Sequence, residues 1–125
     1  MLIRNKDRQT LLRIFSTVGL PIEVWAYGSR VTGTAHDGSD LDLVIRNQNL
    51  VPLPLDVYTE LGEKIKNSNI PVLVELRDWT MLPESFHRNI MLHYEILFPN
   101  IPSIVNEPDA GYKKKLSGEK GNGNE

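Results

Sequence analysis

The tightest constraint on this chain lies between Tyr27 and Ile45. A Gly28-Ser29 pair directly follows the apolar run Val24-Trp25-Ala26-Tyr27, and ten residues later Asp40-x-Asp42 opens a second apolar run, Leu41 to Ile45. Side chains alternate faces along a strand, so Asp40 and Asp42 point the same way, roughly 7 Å apart along the backbone. Leu41 and Leu43 point the other way, into a core. Two like charges at about 4 Å and an effective dielectric near 20 repel by about 4 kcal/mol. A purely structural strand gains nothing from that arrangement. A divalent cation relieves it, and Mg²⁺ typically takes one or two carboxylates together with phosphate oxygens and water.

The Gly-Ser pair supplies the other half. Gly28 has no Cβ, so a phosphate can approach its backbone closely. A short helix starting near Ser29 presents free N–H groups and a positive dipole end to an anion. The Ser29 hydroxyl can donate to a phosphate oxygen, and Arg30 is near enough to add positive charge. A phosphate cradle facing a carboxylate pair is the machinery of phosphoryl or nucleotidyl transfer.

The pattern Gly-Ser, ten residues, Asp-x-Asp resembles the nucleotidyltransferase superfamily that includes DNA polymerase beta and the aminoglycoside nucleotidyltransferases. The details Val24-Trp25-Ala26-Tyr27-Gly28-Ser29-Arg30 and Ser39-Asp40-Leu41-Asp42-Leu43 look most like its minimal nucleotidyltransferase (MNT) branch. The likeness spans roughly residues 10 to 98. It implies a third carboxylate on a later strand, and Glu75 in Val72-Leu73-Val74-Glu75-Leu76-Arg77-Asp78 fills that place. Relatives often carry Asp there, and Glu reaches one methylene further. The resemblance therefore assigns Asp40, Asp42 and Glu75 to catalysis and metal binding. It assigns Gly28, Ser29, Arg30 and Ser39 to the nucleotide phosphates.

Length and charge narrow the partners. A chain of 125 residues is one domain by the usual prior, and 40% apolar residues suffice for a modest core. A formal charge of −2 offers no general electrostatic footprint for a long nucleic acid. With no cysteine there is no disulfide and no thiolate metal site. No apolar run is long enough for a membrane span, and a cytoplasmic protein is expected.

Taken in order, residues 7 to 18 read as an amphipathic helix with Leu11, Ile14, Phe15 and Val18 on one face. Asp7 or Asn5 is placed to cap it. Residues 22 to 27 read as a central strand with Trp25 in the core. Residues 29 to 34 form a helical turn ending at Gly33, followed by a polar loop holding His36, which reads more simply as solvated than as a phosphate contact. A strand over 40–46 and a helix over 55–67 follow, with Tyr58, Leu61 and Ile65 inward. A strand over 71–77 places Leu73, Glu75 and Arg77 on one face, where Glu75 has two readings: a partner for Arg77, or a metal ligand or general base. Pro83 opens a last helix whose buried stripe runs Phe86, Ile90, Tyr94, Leu97 and which Pro99 ends. Arg88 and His93 have the Arg-x4-His spacing of HEPN ribonucleases, but five residues turn about 140° on a helix, and chance explains the match. His93 is expected to be partly buried and His87 at the surface. The domain is expected to end near residue 105. Residues 106–125, polar and Gly-rich around Lys113-Lys114-Lys115, read as a disordered tail.

The expected fold class is α/β (α+β), in the order α-β-α-β-α-β-α; the nucleotidyltransferase fold, a small mixed sheet with helices packed against it, is implied by the resemblance. The expected reaction moves AMP from ATP to a hydroxyl, with two Mg²⁺ at Asp40, Asp42 and Glu75. Three carboxylates and a triphosphate total roughly −7, of which two Mg²⁺ offset four and Arg30 with helix N–H groups a further part. MNT proteins commonly pair with a HEPN toxin, so the resemblance implies a toxin tyrosine as acceptor and a homo- or hetero-oligomer as the working form. Two alternatives stay open: a non-catalytic antitoxin that masks its partner, and an aminoglycoside-type transferase acting on a small molecule.

Overall fold

The computed structural model describes residues 1–99, so the expected tail and the boundary near residue 105 lie outside the described residues. Helix α1 spans Asn5–Phe15, β1 Glu23–Tyr27, α2 Ser29–Thr32, β2 Leu41–Arg46, α3 Leu55–Lys66, β3 Val74–Asp78, α4 Glu84–Leu92 and β4 Tyr94–Phe98. Two short 3-10 turns, Gln48–Leu50 and Trp79–Met81, follow β2 and β3. The four strands form one mixed sheet in the order β3-β2-β1-β4. β1 runs antiparallel to both β2 and β4, while β2 and β3 are parallel, joined by the α3 crossover.

The sheet buries both faces. Val24 and Ala26 of β1, Leu41, Leu43 and Ile45 of β2 and Leu97 of β4 meet Leu11 and Phe15 of α1 and Leu61 and Ile65 of α3. These residues are fully or nearly fully buried, as the period-2 strands and period-3.6 helices require. The opposite face carries Trp25, Tyr27 and Val44, covered in part by Trp79 and by Ile90 of α4. There the Arg46 guanidinium lies 4.1 Å from the Trp25 ring centre and 4.6 Å from that of Trp79. Its charge is held over two electron-rich faces.

Some expectations need correction. Helix α1 starts two residues early and stops at Phe15, because the Ser16 and Thr17 hydroxyls donate to the carbonyls of Arg13 and Ile14 and close its end. Neither Asn5 nor Asp7 caps it. Arg4 holds the cap position, and Asp7 is buried against the Arg4 guanidinium at 2.9 Å. The last helix stops at Leu92, and Tyr94–Phe98 is a fourth strand. The stripe Phe86, Ile90, Tyr94, Leu97 satisfies helical spacing, but the free edge of β1 has backbone groups to pair, and Tyr94–Phe98 pairs them. In the strand, Leu97 enters the α1–α3 core while Ile96 packs on the other face. His93, just past the helix end, is exposed. His87 is half-buried, stacked on Trp79 at 3.9 Å with Nε2 2.7 Å from the Trp79 carbonyl.

Candidate active site

A row of residues crosses the sheet on the Trp25 face. Tyr94 of β4 stands opposite Tyr27, Tyr27 opposite Asp42, and Asp42 opposite Glu75. Residues opposite one another in a ladder project to the same side, and adjacent strands lie about 4.8 Å apart. Asp42 and Glu75 are therefore neighbours on one face, brought together by a parallel register between segments more than thirty residues apart. Asp40, one residue before β2, is exposed beside them.

The charges around Asp42 are unbalanced. Burial pushes its carboxyl above the ordinary aspartate value. Arg77 pulls it down, and the charges of Asp40 and Glu75 push it up further. The Arg77 guanidinium stands between the carboxylates, 3.6 Å from Asp42 Oδ1 and 3.7 Å from Glu75 Oε1. Its Nη1 also donates to the Tyr27 hydroxyl at 3.0 Å. Burial raises the Tyr27 phenol above its usual value, and Arg77 opposes that rise. One guanidinium thus faces two carboxylates, and Asp40 adds further negative charge at Asp42.

The donor set fits a divalent cation. It offers hard carboxylate oxygens on adjacent strands, next to a third carboxylate, with negative charge in excess. As the side chains stand, no group of three or more acidic or histidine residues among the described residues converges on one point, because Arg77 separates Asp42 from Glu75. The Asp40–Asp42–Glu75 set is thus a neighbourhood on one face rather than a formed cage. The other acidic residue of β3, Asp78, is excluded. It is buried, and its two oxygens accept from Leu53 N, Thr80 N and Thr80 Oγ1.

Gly28 links β1 to the segment expected to cradle phosphate. Its φ is +81°, and a Cβ built there would lie 2.5 Å from Asp42 Oδ2. No other L-residue fits, both for backbone strain and because the carboxylate closes over this position. Ser29 opens α2, a single turn of four residues, so any contribution to an anion comes from local N–H groups rather than from a long macrodipole.

Arg30 does not serve as a free phosphate ligand. It is buried. Nε and Nη2 donate to the Ser39 carbonyl at 3.1 and 2.8 Å, and Nη1 donates to the Leu2 carbonyl at 2.6 Å. Longer contacts from Nη2 reach the His36 and Asp37 carbonyls. The donors expected to reach phosphate instead hold the loop that delivers Asp40. Ser39 is part of that loop: its hydroxyl accepts from His36 N at 3.0 Å and keeps its own hydrogen to donate. His36 is exposed, and its Nδ1 accepts from Gly38 N at 3.1 Å, so it too shapes the loop.

The residue that sequence reasoning placed too narrowly is Arg77. Its i, i+2 position marks it as a partner for Glu75, but its contacts with Asp42 and Tyr27 depend on strand order and register. No signal within β3 carries those.

The chain is also similar to known proteins. The family described as "Polymerase beta, Nucleotidyltransferase" matches residues 9–101. The probable protein adenylyltransferase MntA of Haemophilus influenzae is 39% identical over 108 residues, covering 86% of this chain and 92% of that protein. Among solved structures, a toxin–antitoxin with AMP-PNP superposes with a TM-score of 0.61 at 18% identity, over 75% of this chain and 74% of the other. A mutant of the toxin–antitoxin MntA–HpeT gives 0.60 at 16% identity, over 74% and 73%. At those identities the structures show a shared fold. The family match over most of the chain, together with a relative of this identity and coverage, shows that the protein belongs to the polymerase beta nucleotidyltransferase family.

Proposed function

We propose that this protein transfers AMP from ATP to a hydroxyl of a partner protein, a tyrosine of a HEPN-type toxin encoded nearby, and so acts as its antitoxin. The observation that carries this reading is the Asp42–Glu75 pairing across parallel strands, with Asp40 beside it and Gly28 beneath Asp42. The protein adenylyltransferase name of the Haemophilus relative supports the choice of a protein acceptor. Among the described residues no helix is long and apolar enough to cross a membrane.

In the proposed reaction the acceptor oxygen attacks the α-phosphorus. A new P–O bond forms, the bond to the β-phosphate oxygen breaks, and pyrophosphate leaves. Glu75 accepts the proton of the attacking hydroxyl. Gly28 leaves room for the phosphates, and the Ser29 hydroxyl donates to one of their oxygens. Asp40, Asp42 and Glu75 would hold the divalent ions, two Mg²⁺, which when bound offset the phosphate charge and make the hydroxyl more acidic. Arg77 balances Asp42 and Glu75 in the metal-free protein.

The test is incubation with labelled ATP and Mg²⁺, with and without the neighbouring gene's product. Label on that product supports the proposal. Label on an added aminoglycoside, or neutralisation of the toxin that persists in Asp42→Asn, overturns it in favour of a small-molecule transferase or a masking antitoxin.

A further inference from the structure

Two cavities share residues with the surroundings of the carboxylates, and neither is lined by Asp40, Asp42 or Glu75 themselves. One, of about 170 Å³, touches Gly28 and Thr32 on one side and Phe86 and Asn89 of α4 on the other. The second, of about 340 Å³, lies beside β3, an edge strand of the sheet. Leu55, Tyr58, Met81 and Leu82 line it, and Arg77 is shared between it and the carboxylates. A larger groove of about 810 Å³ runs between α1 and α3, among residues of neither cavity nor site.

We propose that the pocket beside β3 seats an apolar side chain of the acceptor protein, next to the hydroxyl that is modified. This assignment rests on the proposed adenylyl transfer and adds where the acceptor docks. In phosphoryl transfer the attacking and leaving oxygens lie roughly in line. The phosphates are assigned to Gly28 and Ser29, on the β1 side of Asp42, so the acceptor approaches from the opposite side, over Glu75 and β3. The pocket on that side is the one that shares Arg77 with the site.

Its lining selects the class of acceptor. Leu55 and Met81 are 78% and 73% exposed, the highest values among the large apolar side chains of the described residues. Apolar side chains that stand in solvent beside a reaction centre fit a protein surface. A polycationic sugar would need free carboxylates, and the one carboxylate in this pocket, Asp78, is already engaged by Leu53 and Thr80. Tyr58 donates its hydroxyl to the Leu76 carbonyl, so its ring is fixed as a wall.

The test uses the full chain with Mg²⁺, ATP and the neighbouring gene's HEPN-type product as acceptor. Leu55→Asp and Met81→Asp place a charge in the pocket at exposed positions. Leu92→Asp, 71% exposed at the end of α4, is the control. Both pocket variants are expected to raise the acceptor KM about tenfold or more, as for loss of an apolar anchor, with kcat and the Kd for ATP unchanged. The control is expected to match wild type. Pocket variants with a wild-type acceptor KM overturn the assignment, as does an equal loss in Leu92→Asp or a parallel weakening of ATP binding. A wild-type chain that labels no protein overturns the adenylyl-transfer reading itself, and the pocket's role with it.

Discussion

The two faces of the sheet obey different rules. On the face toward α1 and α3, apolar side chains such as Leu11, Leu43 and Leu97 are wholly buried, and each one's role is local. On the other face Tyr27 is buried while Asp42, Glu75 and Arg77 are half-buried, and each takes its meaning from the next strand. The first face is built for stability. The second holds like charges together at some cost to stability, which is the usual signature of a functional site.

The largest separation between the faces is expected in transfer. Asp40→Asn and Asp42→Asn are each expected to reduce AMP transfer by about 10³-fold or more while leaving the far-UV spectrum unchanged. Activity within about tenfold of wild type in either variant would make the second face merely structural. Leu43→Ala inverts the test. Its side chain is fully buried, and the substitution is expected to cost about 2–5 kcal/mol in denaturant unfolding. A cost below about 1 kcal/mol would mean that the first face is not the close-packed one.

Smaller effects sharpen the contrast. Arg77→Met removes the cation between Asp42 and Glu75. It is expected to destabilise the protein in chelator by about 1 kcal/mol, with the deficit shrinking as Mg²⁺ is added. An equal deficit with and without Mg²⁺ would show that Arg77 acts only through packing. The smallest effect is a pH dependence. The Asp42 carboxyl sits above its ordinary value of 3.8, so the folded state holds its proton more tightly than the unfolded state. Its contribution to stability is most favourable below 3.8 and falls as pH rises through the raised value. In chelator, Asp42→Asn is therefore expected to be as stable as wild type or slightly more so at neutral pH, with a shallower fall in stability above pH 4. A lower melting temperature in the variant would contradict the burial and crowding seen at this carboxylate.

What was legible in the sequence follows the same division. Strands β1 and β2 and helix α3 are written in local periodicity, and the Gly28-Ser29…Asp40-x-Asp42 spacing marks the candidate site without any fold. The assignment of Glu75 rests on its apolar strand and the family likeness. The fourth strand was hidden because Tyr94 and Leu97 continue a helical stripe, and only the free edge of β1 decides between the two conformations. Arg30 looked like a phosphate ligand because a single sequence cannot show which carbonyls surround a guanidinium. Arg77 looked like a partner for Glu75 alone because the parallel register of β2 with β3 is a property of the assembled sheet.

Arg30 reaches further than its own loop. Its backbone carbonyl accepts from Leu2 N at 2.7 Å while its side chain donates to the Leu2 carbonyl at 2.6 Å, a reciprocal latch between the second residue and the segment that presents Asp40. The leading residues therefore belong to the foundation of the candidate site. Trimming them, or prying them outward with a bulky fusion, would loosen the Asp40 loop from behind while every acidic side chain stayed in place.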